Sequence, residues 1–221
     1  MTGLLDELLN KADKSLAVGD FATARGFLTE AMKLSETFEA KDQRRILVYH
    51  QMAHALAGMG EIDQAEALHK KAVEALTKAY GPFHQRVAES LNELASFYFE
   101  QERFEEVEQL SRKILNIYEK SFGLRHAEVG IICQQLASVL QELGKYQESE
   151  NFYRRALSIL PESIGPYDAR MIATLENFAA LLRQQGRDDE ADHLTACALG
   201  RVSGSLRSIT GTNFPEVDKL N

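Results

Sequence analysis

Small residues return along this chain at a nearly constant interval of 42 positions, and no other feature narrows the possible folds so far. Gly19, Gly60, Glu102, Gly144 and Gly186 lie 41, 42, 42 and 42 residues apart. Seven residues before each stands an alanine: Ala12, Ala53, Ala95, Ala137 and Ala179. Five residues after come Ala24, Ala65, Val107, Ser149 and Ala191, and twelve after come Ala31, Ala72, Ile114, Ala156 and Ala198. Larger residues keep the same register. Met52, Leu94, Leu136 and Phe178 lie eight before the turn, and Leu8, Tyr49, Leu91, Cys133 and Leu175 lie eleven before it. Intervals of three, four and seven place these sites on one face of a helix. Phe21, Ile62, Phe104 and Tyr146, two after the turn, open a second helix with its own apolar face.

The physical reading is a helix hairpin repeated five times. Glycine at the turn supplies the left-handed backbone that ends the first helix at low steric cost. Small side chains let the two backbones approach, and bulky neighbours fill the space between. One hairpin cannot bury both of its apolar faces, whereas stacked hairpins form a continuous core. Gly81, Gly123 and Gly165, again 42 apart, punctuate the links between pairs, and Pro82 and Pro166 follow two of them. The link around residues 39–42 lacks this glycine.

The pattern of small residues resembles the tetratricopeptide repeat, and the 42-residue period, longer than the usual ~34, resembles its kinesin light chain subclass. Residues 87–95, Val-Ala-Glu-Ser-Leu-Asn-Glu-Leu-Ala, resemble that family's first helix, and residues 79–84 and 159–165 resemble its inter-repeat loop. The resemblance covers roughly residues 4–203. It implies an all-α fold, a right-handed α-α superhelix (a TPR solenoid) of about five helix pairs. The pairs are expected at about residues 3–38, 45–80, 87–121, 129–160 and 171–203, with 204–221 a flexible C-terminal tail. In the third pair the helices are expected at 87–101 and 104–121. Lys11, Ser15 and Asp188 stand where other pairs carry large apolar residues, which suits either the water-facing ends of an array or drift at partly exposed sites.

Composition narrows the function. A net charge of −8 disfavours nucleic acid, which needs clustered Lys and Arg, and disfavours anionic membranes. No stretch approaches the ~18 uninterrupted apolar residues of a membrane span, and no signal peptide is expected. Cys133 and Cys197 are far apart without metal-type spacing, so two free thiols and a cytoplasmic location are expected. Phosphate loops, nucleophile elbows and dinucleotide fingerprints are absent from the sequence, and the His50/His54 pair lacks the glutamate of a zinc-protease helix. The expectation is a non-enzyme without cofactor or metal.

In the family that this chain resembles, the first helix of each pair lines a concave groove. Counting from the turns, that stripe carries Leu47, His50 and His54 in the second pair, and Glu89, Asn92, Ser96 and Phe99 in the third. It carries Ile131, Gln134, Ser138 and Gln141 in the fourth, and Glu176 and Arg183 in the fifth. Amides, hydroxyls and His can bond an extended peptide backbone, while Leu47, Phe99 and Ile131 offer apolar pockets. The expected partner is a protein or extended peptide segment; the alternative is a structural module that associates with copies of itself. Residues 213–218, Asn-Phe-Pro-Glu-Val-Asp, form an aromatic-proline-acidic stretch that such a groove could capture, in the same chain or a neighbouring one. Order is expected to fade beyond about Ser208. Replacing Ala95 or Ala137 by Leu should overpack a helix crossing and cost about 1–3 kcal/mol, measured by urea unfolding.

Overall fold

The computed structural model describes residues 2–164 and 168–198, and every regular element among them is an α-helix. The helices are α1 (Thr2–Ala17), α2 (Phe21–Ser35), α3 (Gln43–Gly58), α4 (Ile62–Tyr80) and α5 (Gln85–Glu100). They continue as α6 (Phe104–Phe122), α7 (Ala127–Glu142), α8 (Tyr146–Ser163), α9 (Ala169–Gln184) and α10 (Asp188–Ala198). The first helix of each pair is odd-numbered and the second even-numbered. Expectations for Gly165, Pro166 and the tail from 204 onward, its flexibility and groove occupancy included, lie outside the described residues.

The turn within each pair repeats the same backbone solution five times. Gly19, Gly60, Gly144 and Gly186 take φ between 70° and 81°. In every turn the following residue donates its N–H to a carbonyl five positions back: Asp20 to Ser15, Glu61 to Leu56, Arg103 to Tyr98, Lys145 to Leu140 and Arg187 to Leu182, all at 2.8–2.9 Å. This bond satisfies a carbonyl that the helix end would otherwise orphan. Glu102 makes the same turn with φ 57°, the one non-glycine residue at positive φ among the described residues.

The first helices of pairs two to five begin with a cap that also repeats every 42 residues. Asp42, His84, His126 and Asp168 each accept a hydrogen bond from the backbone N–H two positions on, at Arg44, Arg86, Glu128 and Arg170. His84 therefore starts α5 at Gln85, two residues before the expected 87; its Nδ1 serves as the acceptor that Ser or Asp more often supplies. His84 also stacks on Tyr80, and His126 on Phe122, which ties each cap to the preceding second helix.

The chain divides into two compact units, 1–110 and from 111 onward. In the first, α1 packs on α2, α2 on α3, α3 on α4 and α4 on α5. Ala12, Ala24, Ala31, Ala53, Ala65 and Ala72 are fully buried there, so the small registers mark where helices meet. In the second, α7 packs on α8, α8 on α9 and α9 on α10. Ser149 occupies a small register in this unit, and its buried hydroxyl donates to the Ala137 carbonyl at 2.7 Å, so the polar group is satisfied inside the crossing.

Ion pairs staple successive repeats inside each unit. Glu66 receives Arg103 at 2.5 Å, Lys70 and the Tyr98 hydroxyl. Two repeats later Glu150 receives Arg187 at 2.6 Å and Arg154 at 2.7 Å. Replacing Glu102 by Gly should raise the unfolding free energy by about 1 kcal/mol, because the left-handed backbone is steric cost for Glu and none for Gly. Urea denaturation of the variant beside the parent checks this.

Candidate peptide-binding face

The residues expected to line the groove all sit on α3, α5, α7 and α9, and none is buried. In the first unit, Leu47 and Phe99 are large hydrophobic side chains left 43% and 47% exposed. Phe99 rests edge-on against Phe104 at 5.5 Å, which orders its ring without covering it. Asn92 lies half-buried on α5 with no side-chain hydrogen bond among the described residues, so its amide is unspent.

A hollow of about 470 Å³ opens between α3 and α5. Ile46, Leu47 and Leu76 supply its apolar lining, and Glu89, Ser90 and Glu93 line it from α5. Beneath it runs a polar chain. His50 on α3 places Nδ1 2.8 Å from Nδ1 of His69 on α4, and Nε2 3.0 Å from Oγ of Ser90 on α5. His69 is buried against the Phe97 ring. Burial pushes the His50 imidazole down to about 4, and burial with the nearby His50 and His54 pushes His69 down to about 3. Both rings are therefore neutral at pH 7, one donating and one accepting across the pair. His50, expected to meet a ligand with its ring nitrogens, spends both of them on His69 and Ser90.

Serine, histidine and a second partner in line have the connectivity of an acyl-transfer relay. Ser90, however, sits in the middle of α5, where the surrounding backbone N–H groups are consumed by the helix. They cannot serve as the oxyanion donors that such chemistry needs. The chain is better read as a satisfied polar joint between three helices. His54 does not join it: it is exposed and leans on the Phe21 ring at 6.1 Å. Among the described residues no group of three or more His, Cys, Asp or Glu side chains could hold a metal ion. Buried Cys133 has its thiol pushed up to about 12 by desolvation, which leaves it inert as a nucleophile.

In the second unit the stripe is knitted to its own neighbours. The Ser138 hydroxyl is 3.0 Å from the Tyr153 hydroxyl, Gln134 donates to Ser138 at 3.4 Å, and Gln141 donates to Gln184 at 3.0 Å. Ile131 is half-buried and Glu176 exposed. Arg183 turns toward α10, donating to Asp192 and Thr195 at 3.0 Å.

Sequence reasoning missed His69, Ser90 and Glu93. It took one stripe from each first helix, whereas the hollow is lined by the flank of α5 that faces α3. Ser90 and Glu93 lie on that flank, three residues apart and one step round from Glu89 and Asn92. Glu89 accepts from the Gln85 amide at 2.9 Å. Desolvation beside the hollow raises the Glu93 carboxyl above its ordinary value, with His54 opposing.

A family profile described as tetratricopeptide repeat matches residues 44–120 and 131–201. No curated protein sequence matches the chain. Among solved structures, the nearly identical TPR-like repeats of a Podosopora anserina protein named for the kinesin light chain align with TM-score 0.74 at 20% identity, over 89% of this chain and 93% of that one. BtubC (BKLC) from P. vanneervenii aligns with TM-score 0.73 at 20% identity, over 95% of this chain and 82% of that one. MamA aligns with TM-score 0.59 at 15% identity, over 97% of this chain and all of that one. These likenesses establish the fold: the all-α array of five helix pairs expected from the sequence is the one found. No helix among the described residues is long and apolar enough to cross a membrane.

The histidine pair makes a pH prediction. Each folded pKa is depressed below the unfolded value, so the unfolded chain binds more protons on acidification and stability is lost as pH falls below about 6.5. The loss between pH 6.5 and 5 should be on the order of 3 kcal/mol for the two rings together. It precedes any loss from Glu66, which desolvation opposes but hydrogen bonds from Lys70, Arg103 and Tyr98 hold at about 2. Urea unfolding across this range, beside a His50→Gln/His69→Leu double variant with a flatter profile, checks it.

Proposed function

Because this chain belongs to the tetratricopeptide repeat family, a protein-interaction scaffold fold, we propose that it holds an extended protein segment on the face formed by its first helices. The observation that carries this reading is the pairing of uncovered apolar side chains with an unspent amide. Leu47 and Phe99 stay exposed although the same helices bury every other large apolar residue of their inner registers. Asn92 stands on the same stripe and can donate to a carbonyl and accept from an N–H of one bound residue. The Gln134 and Ser138 groups of the second unit are held by a long 3.4 Å bond that a ligand could replace.

The residue chemistry favours binding over catalysis. The titratable groups whose pKa values are most displaced are buried joints or ion-paired staples, and they do not converge with a nucleophile. A net charge of −8 argues for a protein partner over nucleic acid. A soluble partner, a cytoplasmic setting and the absence of a cofactor belong to the same reading.

The test begins with a ligand selected by peptide display, followed by calorimetry on Leu47→Ala, Asn92→Ala and Phe99→Ala. Each should weaken binding by about 1 kcal/mol or more with little change in melting temperature, since all three side chains face water in the free protein. If all three bind as the parent does while the protein's solution mass doubles or more with concentration, the module associates with itself and the proposal fails.

A further inference from the structure

We infer that the caps of α5 and α7 are pH-sensitive catches: a neutral imidazole at His84 or His126 closes the first turn of its helix, and a proton taken up in mild acid opens it. The four caps stand at one register, 42 residues apart, yet two are carboxylates and two are imidazoles. Asp42 and Asp168 accept the backbone N–H two positions on at 2.9 Å. His84 accepts that of Arg86 through Nδ1 at 3.1 Å, and His126 that of Glu128 through Nδ1 at 3.3 Å. The carboxylates keep their lone pairs through mild acid, because hydrogen bonds from Arg44 and Arg170 hold Asp42 below its usual range and Asp168 at about 2. The imidazoles have no such protection. Both rings are exposed, and histidine is the side chain that ordinarily changes charge between about pH 5 and 8.

The geometry fixes what a proton changes. As acceptors, both rings must leave Nδ1 bare and carry their one hydrogen on Nε2. An imidazolium has a hydrogen on each nitrogen, so no rotation of the ring restores the acceptor. Its positive charge also stands at a helix N-terminus, where the peptide dipoles favour a negative one. The charges nearby are mixed, so the lost lone pair decides. His84 stacks on Tyr80 of α4 at 4.6 Å, and Arg86 lies over the same ring at 5.3 Å. His84 shares the hollow with Lys41 from the α2–α3 link, neutral His50 of α3, and Glu89 and Glu93 of α5. His126 stacks on Phe122 of α6 at 4.5 Å, between Arg125 and Glu128 in the chain. From α9, Arg170 lies within electrostatic reach of Glu128, and from α8 the Ser163 hydroxyl donates to the Arg125 carbonyl at 3.3 Å. One turn depends on each cap. The His84 carbonyl accepts from Val87 at 2.9 Å and Ala88 at 3.3 Å, and that of His126 from Val129 at 3.0 Å and Gly130 at 3.2 Å. In α5 this turn carries Gln85 and Arg86 on the wall of the hollow, so acid loosens its rim.

The test is amide hydrogen exchange of the full chain by NMR at about pH 7.5 and 5.5, corrected for the intrinsic pH dependence of exchange. Protection of the Arg86 and Glu128 amides should fall about fivefold or more in acid, the effect of losing one cap. Protection of the Arg44 and Arg170 amides, capped by carboxylates, should not change. His84→Asp and His126→Asp install the residue that the chain itself uses at this register, and each should abolish the fall at its own helix only. At pH 7.5 the ring-nitrogen shifts of both histidines should report the Nε2–H tautomer. An equal fall at all four amides, or the Nδ1–H tautomer, would overturn the inference. So would a fall that persists in the Asp variants but vanishes in the His50→Gln/His69→Leu variant, since it would then originate in the joint beneath the hollow.

Discussion

Close approach of paired helices at the alanine registers is the constraint on which the other features depend. Ala12, Ala53, Ala137 and Ala179 are fully buried, and Ala95 nearly so. With only a methyl group at each crossing, larger neighbours such as Tyr49, Leu91, Leu136 and Phe178 can close the space around it. The same closeness explains how Ser149 is tolerated in a buried register, since the Ala137 carbonyl lies within reach of its hydroxyl. It also determines where function can reside. A first helix that packs on its own partner and on its neighbours has one strip of surface left, and that strip carries Leu47, Asn92 and Phe99.

Charge is handled differently in the staples and in the hollow, and two glutamates show the contrast. Glu66 is partly buried, yet three hydrogen-bonding partners outweigh desolvation and hold its carboxyl at about 2. Glu93 has desolvation without those partners, and its carboxyl moves the other way. The first arrangement joins repeats; in the second only His54 offsets the desolvation. Between them the neutral His50–His69 pair joins α3 to α4 and, through Ser90, to α5, so the floor of the hollow is rigid and uncharged.

Periodicity made most of the fold legible. The five turns, the alternation of first and second helices and the small registers all repeat along the chain, so each repeat checks the others. Glu102 stood out as the odd member of the glycine series, and its positive φ follows from the turn that its neighbours share. The start of α5 was less legible, because histidine is an uncommon cap and its role appears only when His84 Nδ1 is seen to accept from Arg86. The recurrence of Asp42, His84, His126 and Asp168 at one interval was a signal in the sequence that could have located all four helix starts.

For the site, helical spacing was enough to place Leu47, Glu89, Asn92 and Phe99 on exposed stripes, since residues three and four apart on one helix share a face whatever the helix packs against. It could not show that Glu93 and Ser90 turn toward α3, or that His69 rises from the second helix to occupy both the floor and the nitrogen of His50. Those facts depend on the angle and distance between different helices, which no spacing within one helix encodes. The sequence by itself thus determined that this is a repeating all-α protein and which flank of each first helix meets water. Only the tertiary structure decided which of those side chains share a hollow and which are already spent on one another.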